Sequence, residues 1–368
     1  MESTEKNTDL IGNTIKCKGC GSALTYNIKS GELKCIHCGT TNSIRSENEA
    51  VIIHENDYEK FISENEIPSN LKQKVHVVKC NSCGASTDLK PNVTADNCAF
   101  CGSPIVINNA TDCEIIKPSY LLPFKIESSE ASVRFKKWLK GKIFAPSGIV
   151  ELAQKKQLQG IYIPYWTFDS HTKTNYTGQK GINRTVFYTT TENGKTVQRS
   201  RTVTDWYPCS GYVENLFDDT LVVASTSLPV GYANNLEPWD LQNLVVYDEK
   251  YISGFKSEQY QIDLKSGFEN GKAKMKVAIE STVRSDIGGD SQRISTMDIN
   301  YTDIKFKHLL LPIWISGYRY NNKLYTFLVN GRTGEVQGDY PLSIIKVTLA
   351  VIFFITLIWL LYTTFGTE

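Results

Sequence analysis

The segments Cys17-Lys-Gly-Cys20 and Cys35-Ile-His-Cys38 decide the fold of the front quarter of this chain, because both recur further along it. The recurrences are Cys80-Asn-Ser-Cys83 and Cys98-Ala-Phe-Cys101, and the spacing between the two pairs is the same in each set. Every pair is followed by a glycine, the residue that most readily adopts the positive φ of a tight turn. The chain therefore carries two copies of one cysteine-based unit.

Two cysteines separated by two residues bind one metal ion from a single tight turn, and two such pairs supply the four thiolates of a tetrahedral zinc site. In the first copy, Ala23-Leu-Thr-Tyr-Asn-Ile28 followed by Lys29-Ser-Gly31 predicts a strand and a turn leading to the second pair. We predict zinc ribbons at residues 13–43 and 76–108. Their predicted Zn²⁺ ligands are Cys17, Cys20, Cys35 and Cys38, then Cys80, Cys83, Cys98 and Cys101. Four thiolates leave no position open for water, so both sites are predicted to be structural.

Two other interpretations use the same cysteines. Iron in a rubredoxin-like site takes the same four thiolates. A disulfide framework is the second alternative, although the polar segment Met1-Glu-Ser-Thr-Glu-Lys6 shows no secretory signal. Thiolates kept for metal indicate a reducing compartment, so we expect the bulk of the chain in the cytosol. The formal net charge of +1 gives no general reason to expect a nucleic-acid partner.

Residues 44–75 are predicted to form a linker between the ribbons, because they are rich in Glu, Asn, Ser and Lys. Apolar residues within it suggest a partly ordered spacer or a short helix ending near Pro68. We expect His37, His54 and His76 to be solvated rather than ligands, because the cysteine sets are already complete.

A larger domain is predicted over residues 114–341, where the composition changes. Its outline is marked by the proline-containing segments Tyr120-Leu-Leu-Pro-Phe124, Ile161-Tyr-Ile-Pro-Tyr-Trp166 and Leu309-Leu-Leu-Pro-Ile-Trp314. Proline lacks the N–H that a central strand donates, so we predict edge strands or strands with bulges.

Helices are predicted between these strands. Ser128 or Ser129 caps a basic amphipathic helix, Pro238 begins a second helix, and residues 257–285 form a longer one. The basic helix either contacts acidic lipid or phosphate, or packs its aromatic face on the sheet; we expect the packing role.

Strand pairs complete the domain. Asn193-Gly194 separates two β-rich runs at 184–191 and 195–203 and predicts a hairpin. A second pair, 313–320 and 324–329, is predicted to turn at Asn321-Asn322. Helices mixed with antiparallel strands predict an α+β fold.

No catalytic motif stands out in the domain, and we expect that the protein is not an enzyme. The sequence contains no G-x-S-x-G and no H-E-x-x-H. Cys113 and Cys209 lie outside the ribbons, and the domain contains His171 and His308, so a thiol nucleophile with a histidine base stays open. Buried, inert cysteines are the expected role.

The apolar run 347–362 predicts a transmembrane helix over residues 343–364. Lys346 reaches the interface from one end, while Trp359 and Tyr362 suit the opposite boundary. We expect a single-pass tail anchor in the cell membrane, with the N-terminal bulk in the cytoplasm.

A family resemblance rests on the paired ribbons together with later segments. These are Leu122-Pro-Phe124, Gly160-Ile-Tyr-Ile-Pro-Tyr-Trp166, Tyr251-Ile-Ser-Gly-Phe255, His308-Leu-Leu-Leu-Pro-Ile-Trp314 and Val329-Asn-Gly-Arg-Thr-Gly334. The chain resembles bacterial membrane-anchored proteins with two TFIIB-type zinc ribbons. The resemblance covers about residues 17–341 and implies a non-enzymatic adaptor. It offers no established partner-binding residue that could be assigned to a position of this sequence. It further implies SPFH-domain and phage-shock-protein-A-like partners, with a role in envelope stress.

Two functions therefore stand at this stage. The first is an adaptor whose ribbons bind protein partners at the membrane. The second is nucleic-acid binding in replication or transcription, favoured by the basic side chains in and beside the first ribbon: Lys16, Lys18, Lys29, Lys34 and Arg45. The second ribbon is nearly neutral, which makes a nucleic-acid partner the weaker expectation.

Overall fold

The computed structural model describes residues 15–44, 53–64, 68–69, 71–88, 95–106, 111–149, 158–192, 195–321 and 323–365. The predicted Asn193-Gly194 turn, Asn322 of the second turn and Arg45 lie outside the described residues. The architecture is α+β, with one large mixed sheet, two four-cysteine clusters near the N-terminus and one apolar helix after the sheet.

The first ribbon is a small antiparallel sheet of three strands, β1 Leu24–Asn27, β2 Glu32–Cys35 and β3 Thr41–Asn42. Leu24 pairs with Cys35 and Asn27 with Glu32, which is the predicted hairpin. Leu24 and Leu33 are buried and leave only small exposed fractions, so the ribbon has a small apolar core of its own.

The segment after the first ribbon packs on the large sheet. It forms β4 Asn56–Asp57 and α1 Tyr58–Ser63. The Asp57 side chain accepts a hydrogen bond from the Lys60 backbone N–H at 2.8 Å, which caps the helix. The short helix predicted to end near Pro68 therefore ends earlier, at Ser63.

The second ribbon is followed by a strand that extends its own small sheet. Its strands are β5 Lys72–Lys79, β6 Ser86–Asp88, β7 Ala95–Asn97 and β8 Pro104–Val106. The next strand, β9 Thr111–Ile116, pairs antiparallel with β5. With β6, these strands form the separate sheet β6-β5-β9, which a backbone bridge from Thr87 to Glu258 joins to the rest of the chain.

The central unit contains the remaining strands and helices of the described chain. In order they are β10 Tyr120–Leu121, α2 Ser128–Lys140, β11 Gln159–Glu192, β12 Lys195–Val223, α3 Val230–Asn235, β13 Val245–Val246, α4 Glu249–Ile252, β14 Lys256–Ser257, α5 Leu264–Ile287, β15 Ser291–Tyr320, β16 Lys323–Asn330, β17 Val336–Gly338 and α6 Ile344–Phe365. The main path through the sheet runs β12-β11-β15-β10-β13.

Three very long strands dominate the sheet. β11 has 34 residues, β12 has 29 and β15 has 30. The predicted strands at 184–191, 195–203 and 313–320 are only parts of them. Thr172 and Thr174 of β11 are fully buried. Small threonine side chains fit closely beneath a helix. From the sequence alone, their polarity would predict exposed positions.

The two ribbons lie against opposite faces of the central sheet. Ile161 and Ile163 of β11 belong to a buried cluster that includes the second ribbon, whereas Tyr162 belongs to one that includes the first. Neighbouring side chains on a strand point to opposite faces. The same alternation holds in β15, where Leu309 and Leu310 join different clusters.

The prediction that the prolines mark edge strands or bulges is wrong for Pro164 and Pro312, because β11 and β15 both lie inside the sheet. Each proline lies where the neighbouring strand changes. Pro164 falls between residues paired with β14 and residues paired with β12. Pro312 falls between the pairings with β10 and with β16. The missing N–H is tolerated at these junctions, and the proline carbonyls still accept hydrogen bonds from Ala224 and Gly331.

Two helix predictions also need correction. The long helix α5 begins at Leu264 rather than Ser257, because Glu258 and Gln259 are buried in an extended segment against the second ribbon. The Asp263 side chain caps α5 by accepting a hydrogen bond from Ser266 N–H at 2.8 Å. No α-helix begins at Pro238; the short 3-10 helix Leu241–Asn243 follows it instead. Asp240 at that point is instead ion-paired with Arg332.

Helix α5 approaches the sheet closely at Gly267. A Cβ at that position would lie 2.6 Å from Trp166 Cδ1, closer than carbon atoms pack. The Trp166 indole N–H also donates to the Ile262 carbonyl at 2.9 Å, just before the helix begins. The glycine is therefore required by the helix–sheet contact.

Helix α6 is long and apolar enough to cross a bilayer. Its span Ile344–Thr364 has a mean hydropathy of 2.6, and none of it is buried against the rest of the chain. At about 1.5 Å per residue the helix matches the roughly 30 Å hydrocarbon thickness of a bilayer.

Candidate metal centres

The structure brings the four predicted cysteines of the first ribbon together. The Sγ atoms of Cys17 and Cys38 are 3.5 Å apart, as are those of Cys20 and Cys35. All four sulfur atoms lie within 4.8 Å of one another. Gly21 N–H and Gly39 N–H donate to the carbonyls of Cys17 and Cys35, which closes the two knuckle turns.

The second ribbon repeats this geometry. Its Sγ separations are 3.7 Å for Cys80 and Cys101 and 3.5 Å for Cys83 and Cys98. The four sulfur atoms again lie within 4.8 Å of one another. The glycines that follow the cysteine pairs have φ values between 72° and 79°, as their sequence positions predict.

These clusters are positioned to bind metal ions. A tetrahedron with metal–sulfur bonds of about 2.3 Å places its sulfur atoms about 3.8 Å apart. A disulfide requires about 2.05 Å, and all eight cysteines are free. The separations therefore fit a metal cage and not the disulfide framework.

Hydrogen bonds favour thiolates at the exposed edge of each cage. The Thr40 hydroxyl beside Cys38, 3.1 Å from its Sγ, lowers the pKa of that thiol to about 6. Burial acts in the opposite direction at Cys98 and raises its pKa to about 11. Four crowded thiolates repel one another, so full ionisation of a cage is coupled to binding of a cation.

The histidines of the N-terminal region are not among the clustered ligands that the structure describes. The side chains of His37 and His54 are exposed, as predicted. The backbone of His54 is engaged with the Tyr120 hydroxyl. His76 lies in β5, and its side chain is outside the described part of the structure.

The first ribbon binds the central unit through its hairpin. Tyr26 N–H donates to the Ser253 carbonyl at 2.9 Å, and the Ser253 hydroxyl donates to the Leu24 carbonyl at 2.7 Å. The Tyr26 ring packs edge-on against Tyr251 with centroids 5.5 Å apart. The two cysteine turns of the first ribbon do not take part in this contact, and the residues between their cysteines are exposed.

The second ribbon binds the central unit through a metal-binding turn. Ala99 and Phe100, which lie between its third and fourth cysteines, join the buried cluster of Ile163 and Leu311. Gln259 N–H donates to the Ser86 carbonyl at 3.1 Å, and Lys256 pairs with Asp96 at 3.0 Å. This ribbon is thereby a structural part of the core.

The equivalent turn of the first ribbon is uncovered. Ile36 and His37 occupy the positions that Ala99 and Phe100 hold in the second ribbon. Ile36 is 75% exposed, whereas the equivalent Ala99 is only 6% exposed. The cysteine spacing gives no signal for this difference, because it is identical in the two ribbons.

A buried carboxyl group lies at the contact of the second ribbon with the sheet. Glu258 bridges to Thr87 and is 1% exposed. Ser227 Oγ donates to its Oε1, and Gln261 Nε2 does so at 3.1 Å. Burial outweighs these hydrogen bonds and raises the pKa of Glu258 to about 7.

We expect Glu258 to make stability depend on pH. Its folded-state pKa lies above the ordinary 4.5, so the folded protein holds this proton more tightly than the unfolded chain, and stability falls as pH rises from 4.5 to about 7. The difference corresponds to about 3 kcal/mol. Glu258→Gln removes this contribution, so urea unfolding at pH 5 and pH 8 should show a shallower fall than in the wild type. The exposed control Glu59→Gln should leave the slope unchanged, and an unchanged slope in Glu258→Gln would contradict the assignment.

A carboxylate cluster that sequence reasoning missed lies where the segment before α1 meets the long strands. Glu55, Asp169 and Asp218 bring one oxygen each within 4.8 Å of the others. Lys307, which is almost fully buried, places its Nζ 2.8 Å from Glu55 and 2.6 Å from Asp219. Burial, and then the neighbouring Glu55 carboxylate, raise the pKa of Asp169 to about 7. The buried ammonium offsets part of this negative charge, and its ion pair with Glu55 fixes the segment before α1 to β15.

The histidines of the central unit are engaged by other groups. His171 Nε2 lies 2.9 Å from a Glu214 carboxylate oxygen. His308 Nδ1 lies 2.8 Å from the Ile116 carbonyl, and burial lowers the pKa of its ring to about 4. His308 is therefore neutral at physiological pH and packs in the core beside Trp166.

Comparison with known proteins shows a curated relative that is similar to most of the chain. The chain is 26% identical over 331 residues to "Uncharacterized protein YdjG" of Bacillus subtilis (strain 168), and the match covers 90% of each chain. No protein-family model matches the sequence. No solved structure matches it either. The chain is thus similar along nearly its whole length to a protein whose name assigns no function.

Proposed function

We propose that this protein is a non-enzymatic adaptor, anchored in the cell membrane by α6, that uses structural zinc ribbons to hold protein partners at the cytoplasmic surface. Zinc suits both cages because four thiolates at tetrahedral spacing are a preferred ligand set of this metal. The shell of four thiolates is closed to water and substrate, so the ribbons supply rigid surfaces rather than a reaction site.

The observation that carries the proposal is the uncovered turn of the first ribbon. The same turn of the second ribbon packs its apolar side chains into the core, so this part of the ribbon is suited to apolar docking. In the first ribbon it presents Ile36 to solvent beside the polar His37. An exposed apolar residue on a rigid turn is the kind of anchor that protein partners bind in a pocket.

The proposed orientation places the ribbons in the cytosol. Reduced thiolates favour that compartment. Lysines also concentrate in α2 and the turn after it, at Lys136, Lys137, Lys140 and Lys142, close to the start of α6. Positive side chains next to a membrane helix favour the cytoplasmic side. The partners that fit the family resemblance are SPFH-domain and phage-shock-protein-A-like proteins in the response to envelope stress.

We expect Ile36→Asp to abolish partner recovery while leaving the fold intact, because the side chain is exposed and a buried carboxylate in the partner's pocket is unfavourable. The measurement is affinity purification of the full-length chain from detergent-solubilised membranes, with the recovered SPFH-domain or phage-shock-protein-A-like protein quantified. Leu216→Asp is the matched control, because Leu216 is an equally exposed apolar residue on the long strand β12. Equal recovery with both variants would remove the first ribbon as the binding element.

Nucleic-acid binding is the competing function, supported by exposed Lys16, Lys18 and Lys34 on the first ribbon. Lys29 is less available to a phosphate group, because its Nζ lies 3.2 Å from a Glu127 carboxylate oxygen. A gel shift at low salt separates the two functions, since phosphate contacts are strongest there. Binding that falls steeply with salt would favour nucleic acid over the adaptor.

A further inference from the structure

The turn that follows α2 is joined to the first turn of α6. Ser343 N–H donates to the Phe144 carbonyl at 2.7 Å. The Lys346 ammonium donates to the Ala145 carbonyl at 2.7 Å and to the Ile143 carbonyl at 3.3 Å. Three hydrogen bonds therefore hold residues 143–145 beside the start of the apolar helix.

This contact fixes the depth of the turn relative to a bilayer. Lys346 is the third residue of α6, so it lies about 3 Å along the axis from the first. A charged ammonium at this end of a membrane helix lies at the interface, where it avoids the hydrocarbon. Residues 143–145 must lie at the same level, because they accept hydrogen bonds from that ammonium.

The turn presents apolar side chains at this level. Ile143 is 79% exposed and Phe144 is 38% exposed. Leu342 and Ile344 on the adjoining segment are also exposed. Exposed aliphatic and aromatic side chains at the headgroup boundary are stabilised when they enter the outer hydrocarbon.

Helix α2 adds positive charge beside these residues. Lys137 and Lys140 are exposed, and the Lys142 ammonium lies 4.5 Å from the centre of the Trp138 ring. The acidic residue of α2, Glu130, is in its first turn and is paired with Arg134. The end of α2 that faces the start of α6 is therefore basic.

The opposite side of α2 is fixed to the sheet. Phe135 stacks on Phe327 with ring centroids 3.4 Å apart, and Leu139 is 1% exposed. The helix buries its aromatic face as the sequence analysis expects, and its lysines point elsewhere. Because α2 is packed rigidly on the sheet, the orientation of its lysine-bearing surface relative to a bilayer also fixes the orientation of the sheet.

We propose that Lys137, Lys140, Lys142, Ile143 and Phe144, the α2 surface, bind the headgroups of anionic lipids beside α6. The lysines contact lipid phosphates while Ile143 and Phe144 enter the outer hydrocarbon. Each lysine near an anionic leaflet adds electrostatic attraction to the lipid surface. The large sheet is then held against the bilayer by the α2 surface as well as by α6. This inference rests on the proposed membrane anchor.

The test is hydrogen–deuterium exchange of the full-length chain in two nanodiscs, one of phosphatidylcholine and one of equal parts phosphatidylcholine and phosphatidylglycerol. Peptides covering residues 137–145 should exchange several-fold more slowly in the anionic disc. Lys137→Gln with Lys140→Gln should cancel the difference between discs. Lys265→Gln with Lys276→Gln, two exposed lysines of α5, should preserve it.

The outcomes separate this surface from the anchor. A chain that does not co-elute with either disc contradicts the anchor itself. A chain that co-elutes but shows equal exchange in both discs overturns the α2 surface and leaves the anchor standing. Slower exchange in the anionic disc that persists in the Lys137→Gln and Lys140→Gln variant also overturns it.

Discussion

Cys98→Ser is expected to release one of two bound zinc ions and to unfold the second ribbon. Structural zinc contributes about 10–16 kcal/mol to small ribbon-like units, as much as the whole stability of a typical domain. Loss of the ribbon also uncovers Phe100 and the sheet residues that it covers. We therefore expect a large decrease in melting temperature together with the loss of metal.

Metal content and thermal unfolding of the purified full-length chain measure this effect. Cys20→Ser should also reduce the zinc content from two ions to one, but with a smaller loss of stability, because the turn it belongs to is exposed. Cys209→Ser is the matched control, since Cys209 lies outside both cages, and it should retain both ions. Two ions in Cys98→Ser would contradict the assignment of Cys98 as a required metal ligand.

Removal of residues 343–368 is expected to move the chain from the membrane fraction to the soluble fraction. Nothing else in the described chain forms a helix long and apolar enough to span a bilayer. The same release is expected from Phe354→Arg with Ile358→Arg, two exposed positions near the middle of α6. Each arginine at the centre of a membrane helix costs about 2.5–3.5 kcal/mol.

Carbonate extraction of membranes followed by immunoblotting measures this partition. Thr364→Arg adds one arginine near the end of α6, where the side chain reaches the headgroups, so this variant should stay with the membrane. Metal content should remain at two ions in all three variants, because the cages are built by other residues. A wild-type chain that carbonate extracts would contradict the transmembrane role of α6.

The metal clusters could be predicted in detail because their geometry is local. Two residues between paired cysteines and a glycine after them are enough to form each turn, and the four sulfur atoms then meet at ligand distance. The apolar helix α6 follows equally from local composition, since its length and hydropathy need no tertiary partner. The first ribbon's hairpin was predicted for the same reason.

The long strands, the positions of the prolines and the start of α5 could not be predicted from local sequence. Buried Thr172 and Thr174 look like surface residues until α5 covers them. The helix prediction spans Gly267, but the reason for a glycine there is evident only when Trp166 is placed beneath it. Glutamate is favourable in helices, yet Glu258 lies in an extended segment because it is buried against the second ribbon.

The sequence by itself determined the two four-cysteine cages and the apolar helix, because each depends on spacing or composition within a short stretch. Only the tertiary structure decided that the second ribbon buries Phe100 while the first exposes Ile36, and that the turn after α2 is bonded to α6. Exposure and contact depend on which distant surfaces meet, and identical motifs acquire different surroundings when the sheet presents a different face to each.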